Sequence, residues 1–158
     1  MAIEEALREE LLNFLSKSGA HADYGKVLKG FPLEAAGKRP KGVPYSAWQL
    51  LEHIRIAQAD ILEFVSKKNY KEKSWPEDYW PTSAKPKNAE AWNTSLAAFR
   101  RDRKAMQRLA VNPRIDLFAA IPHGSGQTYL REVLLVADHT SYHVAQIVDI
   151  RRALGIWK

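Results

Sequence analysis

Two histidines four residues apart, His139 and His143 in Asp138-His139-Thr140-Ser141-Tyr142-His143, are the residues of this chain best placed to do chemistry. On a helix that interval stacks two imidazoles on one face, close enough to share a metal ion. A third histidine, His53 in Gln49-Leu50-Leu51-Glu52-His53-Ile54, lies far upstream on another helix-like segment. Three imidazoles hold a metal while leaving positions for water or substrate, as catalytic sites do. Spacing alone fits a pair of satisfied core or surface histidines equally well. The elements that carry them decide between the two.

Four segments have helical periodicity. The first, from about Ile3 to Lys17, sets Leu7, Leu11, Phe14 and Leu15 on one face. The second opens with a capping box, Ser46 with Gln49, and a hydrophobic staple, Tyr45 with Leu50, then continues through Leu51, Ile54, Ile61, Leu62 and Val65. The third starts near Asn88, a good cap, with Trp92, Leu96, Phe99 and Met106 on a stripe. The fourth runs from about Thr128 to Leu154. Gly155 follows in a terminating position, with Arg151 and Arg152 where a helix end favours cations. No segment alternates like a strand and no repeat is visible.

The expectation is one all-α domain over residues 1–158, a four-helix bundle. Its connections, Gly19 to Pro44, Ser66 to Lys87 and Leu109 to Gln127, are too long for minimal turns and must cross over or cover the bundle. Rich in Pro, Gly and aromatics, they are expected to be ordered walls, with a short helical turn at Tyr24 to Leu28.

Helical-wheel arithmetic, at about 100° per residue, puts His53 at the edge of an apolar arc of Leu50, Ile54, Ala57, Ile61 and Val65. His139 and His143 stand at the edge of a second arc of Tyr129, Val133, Val136, Ile147 and Ile150. Both helices thus carry their histidines on the border between core and solvent, where a cleft between them would open. Asp60, Glu132 and Gln146 are candidates to orient an imidazole by accepting its other N–H. Tyr142 projects about 60° off that face, and His21 reads as a capping or surface residue.

Other chemistry is thin. Thr140 stands where a zincin needs glutamate. There is no glycine-rich phosphate loop, no nucleophile elbow, and no Glu-x-x-His of the di-iron bundles. Ser125, in Gly124-Ser125-Gly126, reads as a turn residue.

Composition sets further bounds. The 158 residues are 46% hydrophobic, enough to bury a core, and contain no cysteine. Disulfides, thiolate ligands and a cysteine nucleophile are therefore excluded, and any metal must take nitrogen and oxygen donors. The net charge of +6 collects between Ser66 and Asn88 and in Arg100-Arg101-Asp102-Arg103-Lys104, the latter read as a solvated helix face. With no recognition helix, zinc finger or ribonucleoprotein motif, nucleic acid is not an expected partner. Neither a signal peptide nor a membrane-spanning run is evident, so a soluble cytoplasmic protein is expected.

Four stretches carry a family resemblance: Tyr45-Ser46-Ala47-Trp48-Gln49-Leu50-Leu51-Glu52-His53-Ile54 with Asp60-Ile61-Leu62; Trp75-Pro76-Glu77-Asp78-Tyr79-Trp80-Pro81; Ala137-Asp138-His139-Thr140-Ser141-Tyr142-His143-Val144-Ala145-Gln146-Ile147; and the ending Arg151-Arg152-Ala153-Leu154-Gly155-Ile156-Trp157. Together they resemble the DinB-like superfamily, which is distinct from the translesion polymerase of the same name. The resemblance implies a four-helix bundle with long crossovers, frequently a homodimer, whose three histidines bind a divalent metal such as nickel or zinc. His53, His139 and His143 occupy all three positions. Relatives include S-transferases that use low-molecular-weight thiols, and a thiol-dependent isomerase. The implied activity is thiol transfer to a small-molecule substrate. A metal-dependent hydrolase and a non-catalytic metal-binding stress-response bundle are the alternatives.

Overall fold

The computed structural model describes residues 3–16 and 20–157. Among them run the helices α1 (Ile3–Ser16), α2 (Tyr24–Leu28), α3 (Ala47–Ser66), α4 (Ala89–Ala110) and α5 (Tyr129–Ala153), with no strand beyond one isolated bridge, Ala120 to Thr128. The fold is all-α, as expected. Lys17, given to the first helix by its periodicity, and Gly19, the start of the first connection, lie outside the described residues.

Local chemistry sets where the helices begin. Ser46 Oγ accepts from the Gln49 amide at 3.2 Å and Gln49 Oε1 accepts from the Ser46 amide at 3.1 Å, closing the capping box. Asp23, Asn88 and Thr128 cap α2, α4 and α5 with a single bond each, their side chains accepting from the amides of Lys26, Ala91 and Arg131. Each such cap stabilises its helix by about 1 kcal/mol. At the far end of α5, Gly155 takes φ 69°, a left-handed conformation that glycine adopts without strain. Tyr45 packs on the cluster containing Leu50, as a staple should, and also stacks on Trp80, with ring centroids 4.2 Å apart.

Each long helix packs mainly against two others, giving the order α1, α4, α3, α5 around the bundle axis. Side-chain contacts fix the directions. Arg8 reaches Ala110 while Leu15 meets Arg103, so α1 and α4 are antiparallel. Trp48 packs near Trp92 and Gln58 bonds the Phe99 carbonyl, so α3 and α4 are parallel. The first half of α3 shares a core cluster with the last half of α5, and Val65 shares another with Val133, so these two are antiparallel. Parallel neighbours cannot be joined by a turn. Residues 67–88 must travel back along α3, 20 residues or about 30 Å long. This crossover passes over the face that carries His53.

The core falls into two apolar clusters. One gathers Leu50, Leu51, Ile54, Phe99, Ile147 and Ile150 with Trp48 and Trp92; the other gathers Leu11, Leu15, Met106, Leu117, Val133 and Val136. Between them along the helices lie buried polar side chains: Gln58 on α3, Arg103 on α4, Thr140 on α5. Two sequence expectations need correcting here. Arg103 is only 3% exposed and Asp102 is buried, so the basic run on α4 is not wholly a solvated face. Arg103 follows Phe99 by four residues and precedes Met106 by three, which puts it on the core stripe. Phe14 is 56% exposed, because α1 turns Leu11, Leu15 and the stem of Arg8 inward instead.

Candidate metal centre

α3 presents His53, and α5 presents His139 and His143 one turn apart. The three rings form a nearly regular triangle, with centroid separations of 4.8, 4.6 and 4.6 Å. One donor nitrogen from each lies within 4.8 Å of the others, and His139 Nε2 stands 3.0 Å from His53 Nε2. Two imidazole nitrogens bound at about 2.0–2.1 Å to one ion can be no more than about 4.2 Å apart, and are about 3.0 Å apart when they subtend a right angle. The closest pair already meets that distance, and the widest needs only a small ring rotation. The three histidines can hold a metal ion.

Each ring is set by its surroundings. His53 Nδ1–H donates to the carbonyl of Tyr79 at 2.9 Å, which leaves Nε2 as the lone-pair nitrogen of the neutral ring. Trp80 stacks flat on the same ring, centroids 3.9 Å apart and planes within 2°. Tyr45, Trp80 and His53 thus form a three-layer stack that locks the imidazole in place. His143 Nδ1–H donates to Gln146 Oε1 at 2.7 Å, again leaving Nε2 towards the cluster. Burial lowers the pKa of His53 and of His143, more than their hydrogen bonds to Tyr79 and Gln146 raise them. His139 is pushed down to about 4, by burial first and then by His143 and His53. All three rings are therefore neutral near pH 7, the state in which imidazole is a ligand.

Of the groups expected to orient an imidazole, only Gln146 does so. Asp60 accepts from the Tyr79 hydroxyl at 2.7 Å and from the Tyr70 hydroxyl at 3.2 Å. It holds the crossover whose Tyr79 carbonyl holds His53, one step removed from the ring. Seven residues along a helix are about 10 Å, beyond the reach of a carboxylate to an imidazole. Glu132 is buried and ion-paired with Arg131. Tyr142, mostly exposed, touches His143 only ring edge to ring. His21 lines a separate cavity, and His123 donates to the Phe64 carbonyl at 2.8 Å, away from the triad. The histidines themselves are more enclosed than the border position on the wheel suggested, because the crossover roofs them. Sequence reading passed over Tyr79 and Trp80 individually. Every residue has a carbonyl, so Tyr79 left no signal; the density of aromatics in Trp75 to Trp80 was the only hint.

Beside the triad opens a cavity of about 570 Å³. It follows the seam between α3 and α5 from His53 and His139 to Phe64, Arg131 and the 123–127 loop, with Tyr70, Trp75 and Tyr79 as its outer wall.

A helical bundle with a parallel central pair, a long crossover and three convergent imidazoles defines a recognisable class. The sequence model of the DinB superfamily matches residues 18–147, and the chain belongs to that superfamily. No curated protein and no solved structure matches it. Among the described residues no helix is long and apolar enough to cross a membrane.

Proposed function

We propose that this protein holds one divalent metal, nickel or zinc, through His53, His139 and His143, and uses it to transfer a low-molecular-weight thiol to a small electrophile. The observation that carries the reading is the convergence of three neutral imidazoles, two of them fixed through Nδ1, at the end of a cavity large enough for a small molecule. A bound divalent ion supplies Lewis acidity, lowering the pKa of a thiol so that the nucleophilic anion is present near neutral pH. The chain contains no cysteine, so a sulfur nucleophile has to come from a cosubstrate. Tyr79 and Gln146 orient the imidazoles, and Phe64, Trp75 and Leu135 supply apolar surface to the cavity wall.

The test starts with metal analysis of protein purified without an affinity tag. About one equivalent per chain is expected, since a single three-donor set serves one ion. His53→Ala, His139→Ala and His143→Ala should each lose most of it, while His21→Ala and His123→Ala should keep it. Metal content unchanged in the first three would refute the site. A panel of thiols and electrophiles then tests the reaction: turnover with water alone would make the protein a hydrolase, and metal binding with no turnover would make it a binding module.

A further inference from the structure

The cavity beside the triad carries carboxylates that take no part in holding a metal. Three carboxylates line it, those of Asp60, Glu72 and Glu132, against one guanidinium, that of Arg131. Arg131 is committed to Glu132 by their ion pair. Asp60 is 6% exposed, and its hydrogen bonds come only from the hydroxyls of Tyr70 and Tyr79; among the described residues no Lys, Arg or His forms an ion pair with it. A buried carboxylate without a counter-cation is costly, and neutral phenols offset only part of that cost.

Around this carboxylate the cavity is aromatic. Phe64, Tyr70, Trp75 and Tyr79 all line it; Phe64 and Tyr70 meet edge to face at 5.2 Å, and Trp75 and Tyr79 lie 5.4 Å apart. Aromatic faces attract cations through their quadrupoles, and most strongly where water is excluded. An anion at the same place would meet Asp60 and Glu72, while the guanidinium of Arg131 is already paired with Glu132.

We propose that this cavity binds a ligand carrying an ammonium group, seated between Asp60 and the aromatic wall, with its reactive end at the histidines. Asp60 follows His53 by seven residues on one face of α3, about 10 Å along the axis. The ammonium and the reacting atom are therefore separated by a chain of roughly six carbons or its equivalent, since about 10 Å must be bridged. The inference rests on the proposed metal site for what meets the reactive end, and adds the class of ligand.

The test uses the cobalt-substituted protein and three thiols of equal length: aminohexanethiol, mercaptohexanol and mercaptohexanoate. Binding is read from the cobalt spectrum. Aminohexanethiol should bind about tenfold tighter than mercaptohexanol, the effect of one desolvated cation contact. Mercaptohexanoate should bind weakest, and cysteamine, too short to span the distance, should gain nothing from its amine. Asp60→Asn should erase the advantage of the amine while the cobalt spectrum of the free protein persists. If that variant does not fold, Trp75→Ala carries the comparison, because Trp75 is 68% exposed and its loss leaves the core intact. Equal affinity for the amine and the alcohol, or tighter binding of the carboxylate, overturns the proposal. If no thiol changes the spectrum, the thiol reading fails separately. Calorimetry with hexylammonium against hexanol then decides: binding of the ammonium that Asp60→Asn removes upholds the cation site, and no preference overturns it.

Discussion

Two imidazoles of the triad are fixed from behind, each by a group of a different kind, and this determined what the sequence could reveal. Gln146 sits three residues after His143, so the wheel alone picks it out as a partner. The partner of His53 is a backbone carbonyl 26 residues away, which no side-chain pattern encodes. Asp60 shares a face with His53, yet the wheel reports direction and not reach. The neutral, crowded state of the rings has a measurable consequence. A free imidazole protonates near pH 6.5, whereas His139 in the fold is held down to about 4. Between those values the unfolded chain takes up a proton that the folded chain refuses. The sign follows: the stability of metal-free protein falls as pH drops below about 6.5, until His139 titrates in the fold near 4. Thermal unfolding of chelator-treated protein between pH 7.5 and 4.5 measures this. The midpoint should decline with acid more steeply in the native sequence than in His139→Gln, which keeps the bulk and lacks the titration. Equal slopes would show that groups other than His139 account for the decline.

Helices were legible because their signals are local. Caps at Ser46, Asn88 and Thr128, the glycine after α5 and the short turn at Tyr24–Leu28 all stand where composition and periodicity put them. The exceptions are two buried arginines, which local pattern assigns to the surface. Arg8 on α1 donates to the carbonyl of Ala110 at the end of α4, at 2.8 Å, and to that of Ile115 in the loop beyond it, at 2.6 Å. Arg103 on α4 donates to the carbonyl of Leu15 at the end of α1, at 2.9 Å, and to Val136 and Thr140 on α5. Two antiparallel helices thus cap one another's C-termini, each with a buried cation at the negative end of its neighbour's dipole. Arg103 also lies over the Tyr24 ring, 5.5 Å from its centroid, which ties α2 to the same point. Arg103→Met should cost about 2–4 kcal/mol, because the change keeps the apolar stem but leaves buried carbonyls without donors. Arg152→Met, which breaks only an exposed pair with Asp149, should cost no more than about 0.5 kcal/mol. Denaturant unfolding of both variants decides, and similar losses would mean that Arg103 contributes packing alone.

At the scale of the whole molecule the direction of each helix was the hidden quantity. The same four amphipathic segments would fit a bundle of alternating directions, and only inter-helix contacts reveal that α3 and α4 run parallel. That choice obliges residues 67–88 to cross the bundle, and their passage supplies the Tyr79 carbonyl, the Trp80 stack and the outer wall of the cavity. Elsewhere large apolar side chains remain in water. Phe14 on α1, Phe118 ahead of α5 and Leu134 on α5 are 56%, 64% and 44% exposed, on elements that enclose the second core cluster. Apolar groups of this size left in water favour association, and a two-fold dimer buries the same residues on both copies. The expected species is therefore a homodimer, held against the repulsion of two chains of net charge +6. Light scattering at micromolar protein should give twice the mass of one chain, more firmly at high salt, where that repulsion is screened. Phe118→Glu and Leu134→Glu should shift the mass towards one chain while metal content stays unchanged, since neither residue touches the triad. A single-chain mass for the native sequence at every concentration would rule the dimer out, and a dimer indifferent to both substitutions would place the interface on another face.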